Sequence, residues 1–397
     1  MHVKGIITRR SDGKPLSGAS VYFEHTSVGT VTDSSGAFSL SITARGSQQL
    51  IVSYIGFQRH VENIAAGSAE RFLTIKLDKK ETTLQEVVVK ADDGWQKWGD
   101  LFRELFIGTS AYAKHCTILN KEKLRFVFSK ATNTLHVYAD EPLMLENQSL
   151  GYSIRIDLEK FNYEFNTKYL FYEIHSFYQQ LRAENIGDLK KWEKNRLDVY
   201  TGSPLQFYRT LFDSSFIKQG FKVHRLIAPD LSEWERISVL YQQHRDNAHD
   251  FEKSLHKDSL KYYQKILKQG PDNETIDPDS LQFHEFASVQ DSATISLNFN
   301  DRILVTYTGK EAPYEYLVNS GVIAAPGQPV RQTKPAMLKP ISFLELTDHI
   351  PVKVYKNGSI KNDDLLVTGY FAWLNKMATS LPFDYDPQEV LLKTGNR

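Results

Sequence analysis

The chain of 397 residues sets 48 Lys and Arg against 48 Asp and Glu, so its net charge is zero and no global field draws it to nucleic acid or to an anionic membrane surface. Its 41% hydrophobic content is ample for two or three cores, no apolar run approaches the roughly eighteen residues of a spanning helix, and a mean hydropathy of −0.41 agrees with a soluble chain. A single cysteine, Cys116, excludes an internal disulfide framework.

Residues 1–78 read as short strands separated by turns. In Ser20-Val21-Tyr22-Phe23-Glu24 and Ala37-Phe38-Ser39-Leu40-Ser41-Ile42, apolar and polar side chains roughly alternate, so each strand can bury one face and hydrate the other. Asp12-Gly13 and Ser35-Gly36 supply the positive-φ positions of tight turns. The spacing predicts a sandwich of about seven strands rather than a βαβ unit, with Val21, Phe23, Phe38, Leu40, Val52 and Ile55 mostly inside.

After a charged patch, Asp78-Lys79-Lys80-Glu81, residues 84–89 read as one more strand, and the polar stretch 90–94 as a hinge, which makes 79–93 a strand and linker. From 94 the period changes. Trp95, Trp98, Leu101, Phe102, Leu105 and Phe106 recur at offsets of three and four, predicting a helix with one aromatic face that Gly108 ends at a left-handed cap. An exposed ligand platform is the alternative, but a stripe at this spacing belongs in a core, packed on the strands expected between Leu124 and Tyr138. Further strands are expected at 153–158 and 163–165, a hairpin turn at Thr132-Asn133-Thr134, and a helix opened by Ser203-Pro204. A charged, mostly helical stretch fills 232–268 and closes at Gly270-Pro271-Asp272-Asn273, where a subdivision near 270–280 is possible. Strands at 294–299, 303–307 and 340–346, a hairpin around Asn357-Gly358, and a short helix near 374–381 complete 94–397 as an α+β region.

Several motifs at the head of the chain carry a resemblance. Val3 to Ile7, Asp12-Gly13-Lys14-Pro15-Leu16 with Gly18-Ala19-Ser20-Val21, Gly29-Thr30-Val31-Thr32-Asp33 with Gly36-Ala37-Phe38, and Val52-Ser53-Tyr54-Ile55-Gly56-Phe57 resemble the carboxypeptidase-like regulatory domain. Leu84-Gln85-Glu86-Val87-Val88-Val89 resembles the segment that commonly follows it. The resemblance implies a transthyretin-like β-sandwich, an accessory module without an active site of its own, common at the N-termini of Bacteroidota cell-envelope proteins; it also implies a signal peptide removed from the mature protein. Residues 94–397 resemble the uncharacterised portion that accompanies this module, to which no activity attaches. The expected architecture is thus multidomain: an all-β transthyretin-like sandwich plus a larger α+β region of unknown function.

The candidate chemistry has bland readings. His249-Asp250-Phe251-Glu252 matches the H-x-x-E of a zinc carboxypeptidase, but it lies in a charged helical run with no third ligand at suitable spacing, and in those peptidases the transthyretin-like domain follows the catalytic one. His115-Cys116 could be a thiol pair, although adjacent side chains rarely face each other, so a buried structural cysteine is expected. His136 and His175 have no ligand spacing. Asp140-Glu141 and Asp363-Asp364 could serve a glycosidase only if folding set them at the right separation. A TonB-dependent importer shares the leading motifs, but the residues after 93 are too few for a plug and a barrel of about twenty-two strands.

These readings give no catalytic residue, no metal, no cofactor and an unknown binding site. The expected protein is a non-enzymatic one of the periplasm or cell surface, outer-membrane associated, binding an envelope protein or glycan and no nucleic acid. The alternative is an envelope hydrolase acting on peptide or glycan through a site in the second region.

Overall fold

A computed structural model describes residues 1–43, 46–65, 70–80, 94–228, 231–269, 274–324, 338–361 and 364–388. The expected strand at 84–89, the loop 270–273 and Asp363 lie outside the described residues.

Seven strands build two facing sheets at the head of the chain: β1 (His2–Arg9), β2 (Ser20–Phe23), β3 (Gly29–Val31), β4 (Ala37–Ser41), β5 (Gln48–Ser53), β6 (His60–Ile64) and β7 (Glu70–Leu77). One sheet runs β4-β1-β7, with β1 antiparallel to β4 and parallel to β7; the other runs β3-β2-β5-β6. Alternation does what the pattern requires: Val3 and Ile7 from one sheet meet Val21, Phe23, Leu50 and Val52 from the other in a single apolar cluster. Gly13 and Gly36 take positive φ in the two expected turns, and no helix interrupts the described residues of 1–80. Phe38 and Leu40 are buried as well, but Ile55 is 80% exposed, contrary to expectation. Strand β5 stops at Ser53, and the chain turns through Gly56 (φ 80°) with the Phe57 N–H donating to Tyr54 O at 3.1 Å, so the alternation no longer dictates which way residue 55 points.

The region from 94 opens with α1 (Gly94–Phe102), continued by a single π turn over Arg103–Ile107. Phe102 and Phe106 are fully buried. The Phe102 ring lies 5.8 Å edge-on from Phe126, 5.0 Å from Phe161 and 5.0 Å from Phe106, while Trp98 stacks 5.5 Å from Phe128. Gly108 ends the helix at φ 97° and ψ −176°, a conformation open to glycine but not the left-handed helical cap expected, because the π turn has already changed the closing hydrogen bond.

The strands beneath α1 are β8 (Cys116–Ile118), β9 (Leu124–Ser129), β10 (Thr134–Ala139), β11 (Leu143–Asn147), β12 (Tyr152–Glu164) and β13 (Tyr169–Gln180). They pair in the order β8-β11-β12-β10-β9, with β13 along the other edge of β12; Asn133 (φ 51°) makes the expected turn between β9 and β10. The β12–β13 hairpin is long, and its register slips between Leu158 and Lys160.

Beyond it come α2 (Ile186–Tyr200) and α3 (Pro204–Leu211), the latter capped as expected by Ser203 Oγ, which accepts from the Gln206 N–H at 3.1 Å. Three further helices, α4 (Leu231–Gln243), α5 (Ala248–Ser254) and α6 (Lys257–Gln269), lie between β14 (Phe221–Ile227) and β15 (Thr275–Ser280), which pair with each other. The remaining elements are α7 (Phe283–Phe286), β16 (Ala287–Asp291), β17 (Thr294–Leu297), β18 (Ile303–Tyr307), α8 (Tyr314–Asn319), β19 (Ile341–Leu346), β20 (Val352–Tyr355), β21 (Ile360–Lys361), β22 (Leu365–Gly369) and α9 (Tyr370–Leu374). Their sheets run β15-β14-β18-β19-β22 and β16-β17-β20-β21. The last helix begins earlier than its expected start at 374: Gly369 (φ 75°) breaks β22, and Ser342 Oγ accepts from the Phe371 N–H at 3.0 Å, so the helix forms at once and a 3-10 turn at Met377–Thr379 follows. Two apolar clusters fill this α+β region, one around Phe207, Phe221 and Phe371, the other around Phe102, Ile154 and Val199.

Candidate functional site

The residues singled out for chemistry are kept apart. On α5, His249 is exposed, whereas the Glu252 carboxylate accepts from the Tyr241 hydroxyl at 3.1 Å; among the described residues no group of three or more His, Cys, Asp or Glu is arranged to hold a metal. Cys116 is buried, and burial pushes its thiol up to about 12, while the neighbouring His115 faces solvent, so the pair is not a nucleophile and its base. His136 meets Asn162 at 2.7 Å. Asp140 and Glu141 each face a cation, Arg125 at 2.6 Å and Lys123 at 2.7 Å, and Asp364 is half-buried.

Titratable groups instead gather where the sandwich meets the β12–β13 hairpin. The backbone makes the first connection: the His25 N–H donates to Ser176 O at 2.8 Å and the Tyr178 N–H to Thr26 O at 2.9 Å, so the turn after β2 pairs with the edge of β13. Glycine is required at 29, because a Cβ there would lie 2.6 Å from the Phe177 ring, which packs 5.2 Å from Tyr22. Beneath these contacts Asp157, 4% exposed, accepts the Tyr22 hydroxyl at 2.7 Å and has the guanidiniums of Arg59 at 3.6 Å and Arg155 at 3.8 Å. Arg155 also donates to Ser20 Oγ at 2.6 Å and Ser53 Oγ at 2.8 Å, and Arg59 pairs with Glu159. Burial first, then the charge of Asp157, hold the Tyr22 phenol far above its ordinary pKa, so it stays a donor.

A second group adjoins it. His175, placed by the sequence merely among aromatics, bonds the Glu24 carboxylate through Nδ1, and His25 Nδ1 lies 2.6 Å from Ser176 Oγ. The chain's far end joins in: the Phe383 N–H donates to His25 O at 2.7 Å and the Ser27 N–H to Asp384 Oδ1 at 2.9 Å. These ionic groups are engaged with one another across the two regions, the arrangement of a fastening rather than of groups offered to a substrate.

The other concentration of polar groups lines a cavity of about 120 Å³ at the junction of the two apolar clusters. The end of α2 gives Asp198, whose side chain is 56% exposed at the mouth. Its Oδ2 accepts the Tyr112 hydroxyl at 2.6 Å, and Lys310 Nζ donates to its backbone carbonyl at 2.7 Å with Oδ1 3.6 Å away. Burial pulls the Lys310 ammonium below its ordinary pKa, opposed by Asp198. Ser110, Glu315 from α8, and Tyr370 and Trp373 from α9 are also in the lining. Motif reading missed this set, since its members come from separate segments with no shared spacing and no local signal marks them.

Comparison with known proteins completes the description. No curated protein matches the chain. One solved structure, a type II cohesin–X-dockerin complex from Acetivibrio cellulolyticus, is 22% identical over 19% of this chain and 56% of that one, with a TM-score of 0.18, so this chain spans about half of its length. Another, from Bacteroides fragilis and described as membrane-associated and of unknown function, is 13% identical over 45% of this chain and 94% of that one, with a TM-score of 0.16. No described helix is long and apolar enough to cross a membrane. Residues 3–89 match the family model of the CarboxypepD_reg-like domain, which takes in the sandwich from Val3 onward and agrees with the motifs read from the sequence.

Proposed function

We propose that this chain is a non-enzymatic accessory protein of the cell envelope, periplasmic or surface-exposed, in which residues 1–78 form a regulatory-like sandwich that braces an α+β domain, 94–397, for binding a partner. The observation that carries this reading is the charged fastening around Asp157: it ties the sandwich to the hairpin and leaves its own ionic groups mutually paired rather than free for acid–base work. The regulatory-like match at the head of the chain supports the envelope assignment, since such modules commonly stand first in envelope proteins. Fractionation of cells carrying the full gene, with protease added to intact cells, tests the location; recovery only in the cytosolic fraction would overturn it.

A specific observation favours a hydrolase as second reading, because Asp198, Glu315 and Lys310 line one cavity. Purified protein incubated with chromogenic peptides and glycosides, with and without added zinc, separates the two. The accessory reading expects no turnover above buffer. Turnover lost in Asp198→Asn would replace it with the hydrolase.

A further inference from the structure

Helices α4, α5 and α6 leave the sheet at the end of β14 and return to it at β15. Among their described residues Ile237 alone is fully buried, so the excursion lies at the surface. Its last helix divides into two faces. Lys257, Lys261, Lys265 and Lys268 follow one another at offsets of four, four and three, which sets them within about 80° of arc on α6. Leu260, Tyr263, Ile266 and Leu267 fall on the opposite arc. Each is half-buried, and the Tyr263 ring lies 5.5 Å from the Arg236 guanidinium of α4, so that arc is turned to α4 and the lysines are turned away from it.

All four lysines are exposed, and their charge is not cancelled nearby. Elsewhere exposed lysines find carboxylates, as Lys4 finds Glu70 at 2.8 Å and Lys160 finds Glu173 at 3.0 Å. Among the described residues these four make no ion pair, nor does Lys253 on α5; Glu235 and Asp250, the exposed acids of α4 and α5, pair with none of them. Residues 253–268 hold five lysines against one acid, Asp258, which lies 3.7 Å from His256. Salt confines a surface charge to about 8 Å at physiological ionic strength, so an approaching surface meets this stripe and not the zero sum of the whole chain.

The form of the stripe restricts what it meets. From 257 to 268 the charges extend about 16 Å along a convex helix face, with no groove to follow a polymer and no ring stacked between the lysines. Every cation is a lysine, a hydrated point charge on a flexible stem; α6 has no arginine fork for bidentate reading of a carboxylate or a phosphodiester. Tyr262, 46% exposed, stands at the border of the stripe, and tyrosine favours the headgroup level of a bilayer. A flat, diffuse sheet of negative charge fits these features, and basic clusters of this size on amphipathic helices hold anionic lipid.

We propose that α6 docks the protein on an anionic lipid surface through Lys257, Lys261, Lys265 and Lys268. Contact is by electrostatic adsorption rather than insertion, because the apolar arc of α6 already packs on α4. The proposal goes beyond the accessory reading and does not depend on the cell-envelope assignment, since it is read with purified protein and vesicles.

The test is co-sedimentation of the full chain with vesicles of phosphatidylglycerol and phosphatidylcholine in equal parts, and with phosphatidylcholine alone. Four lysines near the surface give a dissociation constant of about 1 mM in lipid, so the protein should sediment with the mixed vesicles in low salt and not with the neutral ones. Raising salt to about 1 M, where screening acts within about 3 Å, should release it. Lys261→Gln should weaken binding about fivefold. Replacing all four by Gln should abolish it and replacing all four by Arg should keep it, with melting points level in both because the side chains are exposed and unpaired. Changing Lys190, Lys191 and Lys194 of α2 to Gln should leave it unaltered. Equal binding to neutral vesicles, no binding to anionic ones, or full binding by the Gln variant would each overturn the proposal. Release from the vesicles by poly-L-glutamate or duplex DNA at matched charge, with tighter binding to that polymer, would overturn it in favour of an acidic macromolecule.

Discussion

Replacing Asp157 tests most directly whether the sandwich and the hairpin behave as one unit. Its carboxylate accepts the Tyr22 hydroxyl at 2.7 Å and lies 3.6 Å and 3.8 Å from the guanidiniums of Arg59 and Arg155. A hydrogen bond to a charged group contributes about 1.5–3 kcal/mol, and removing one partner of a buried ionic cluster costs about 3–5 kcal/mol because the other charges stay behind. Arg59 keeps Glu159, and Arg155 keeps Ser20 and Ser53, so Asp157→Ala should fall at the low end, about 3 kcal/mol, and Asp157→Asn near 2 kcal/mol since an amide oxygen can still accept from Tyr22. The assay uses a convenience of the sequence: all five tryptophans lie at residue 95 or beyond, so their fluorescence follows the α+β region alone, while calorimetry follows the whole chain. The wild type should show coincident transitions. In Asp157→Ala a calorimetric transition without tryptophan change should appear at lower temperature, the sandwich melting by itself. A loss below about 1 kcal/mol, or a Tyr22→Phe/Asp157→Asn cycle additive within about 0.5 kcal/mol, would refute the fastening.

Phe102→Ala and Phe106→Ala should each cost about 3–5 kcal/mol through lost transfer energy and a cavity; chemical denaturation followed by tryptophan fluorescence checks this, and losses under about 1 kcal/mol would return the α1 stripe to the list of binding surfaces. Acid should destabilise the protein through Glu24 and His25. Burial holds His25 below its ordinary pKa, so the unfolded chain takes up its proton first as pH falls through about 6.5. Burial pushes Glu24 up, but the His175 hydrogen bond with the charges of His25, His175 and Arg59 holds it below its ordinary 4.5, so its contribution is full above that value and is lost as pH falls through the lower folded one. Melting temperature should therefore drop steadily from pH 7 to 4, and His25→Asn, which tolerates the positive φ at 25, should flatten the upper part of that slope; an unchanged slope would count against it. Purified protein should hold no stoichiometric zinc, and His249→Ala should change neither metal content nor melting point, as elemental analysis and a thermal melt would record.

The sandwich was legible because everything that builds it is local: alternation along β2 and β4, and Gly13 and Gly36 at the turns. Ile55 misled for the same reason, as a pattern carried two residues past the end of β5 predicts a face that no longer exists. The α1 stripe was legible from its spacing, but the π turn over Arg103–Ile107 was not, since it alters which backbone groups bond without altering the residues that face the core. The polar sites were invisible. Tyr22 and Asp157 stand 135 residues apart, and Ser110, Asp198, Lys310 and Tyr370 come from four segments whose approach depends on how α2, α8 and α9 pack. Such pairings leave no period in a sequence.

The bond from Ser27 to Asp384 spans 357 residues, nearly the whole sequence, and bears on the order in which the protein is made. At about 5–20 residues per second, synthesis separates the two partners by tens of seconds. The sandwich, complete by Leu77, can fold early, yet its turn at 25–27 must wait with those contacts open until the segment around 383–384 emerges. During that interval the turn at 25–27 can already pair with Ser176 and Tyr178 of β13 but lacks the cover of 383–384, which makes the nascent chain the stage at which a chaperone, or a second copy's C-terminal segment, has its best chance to engage it.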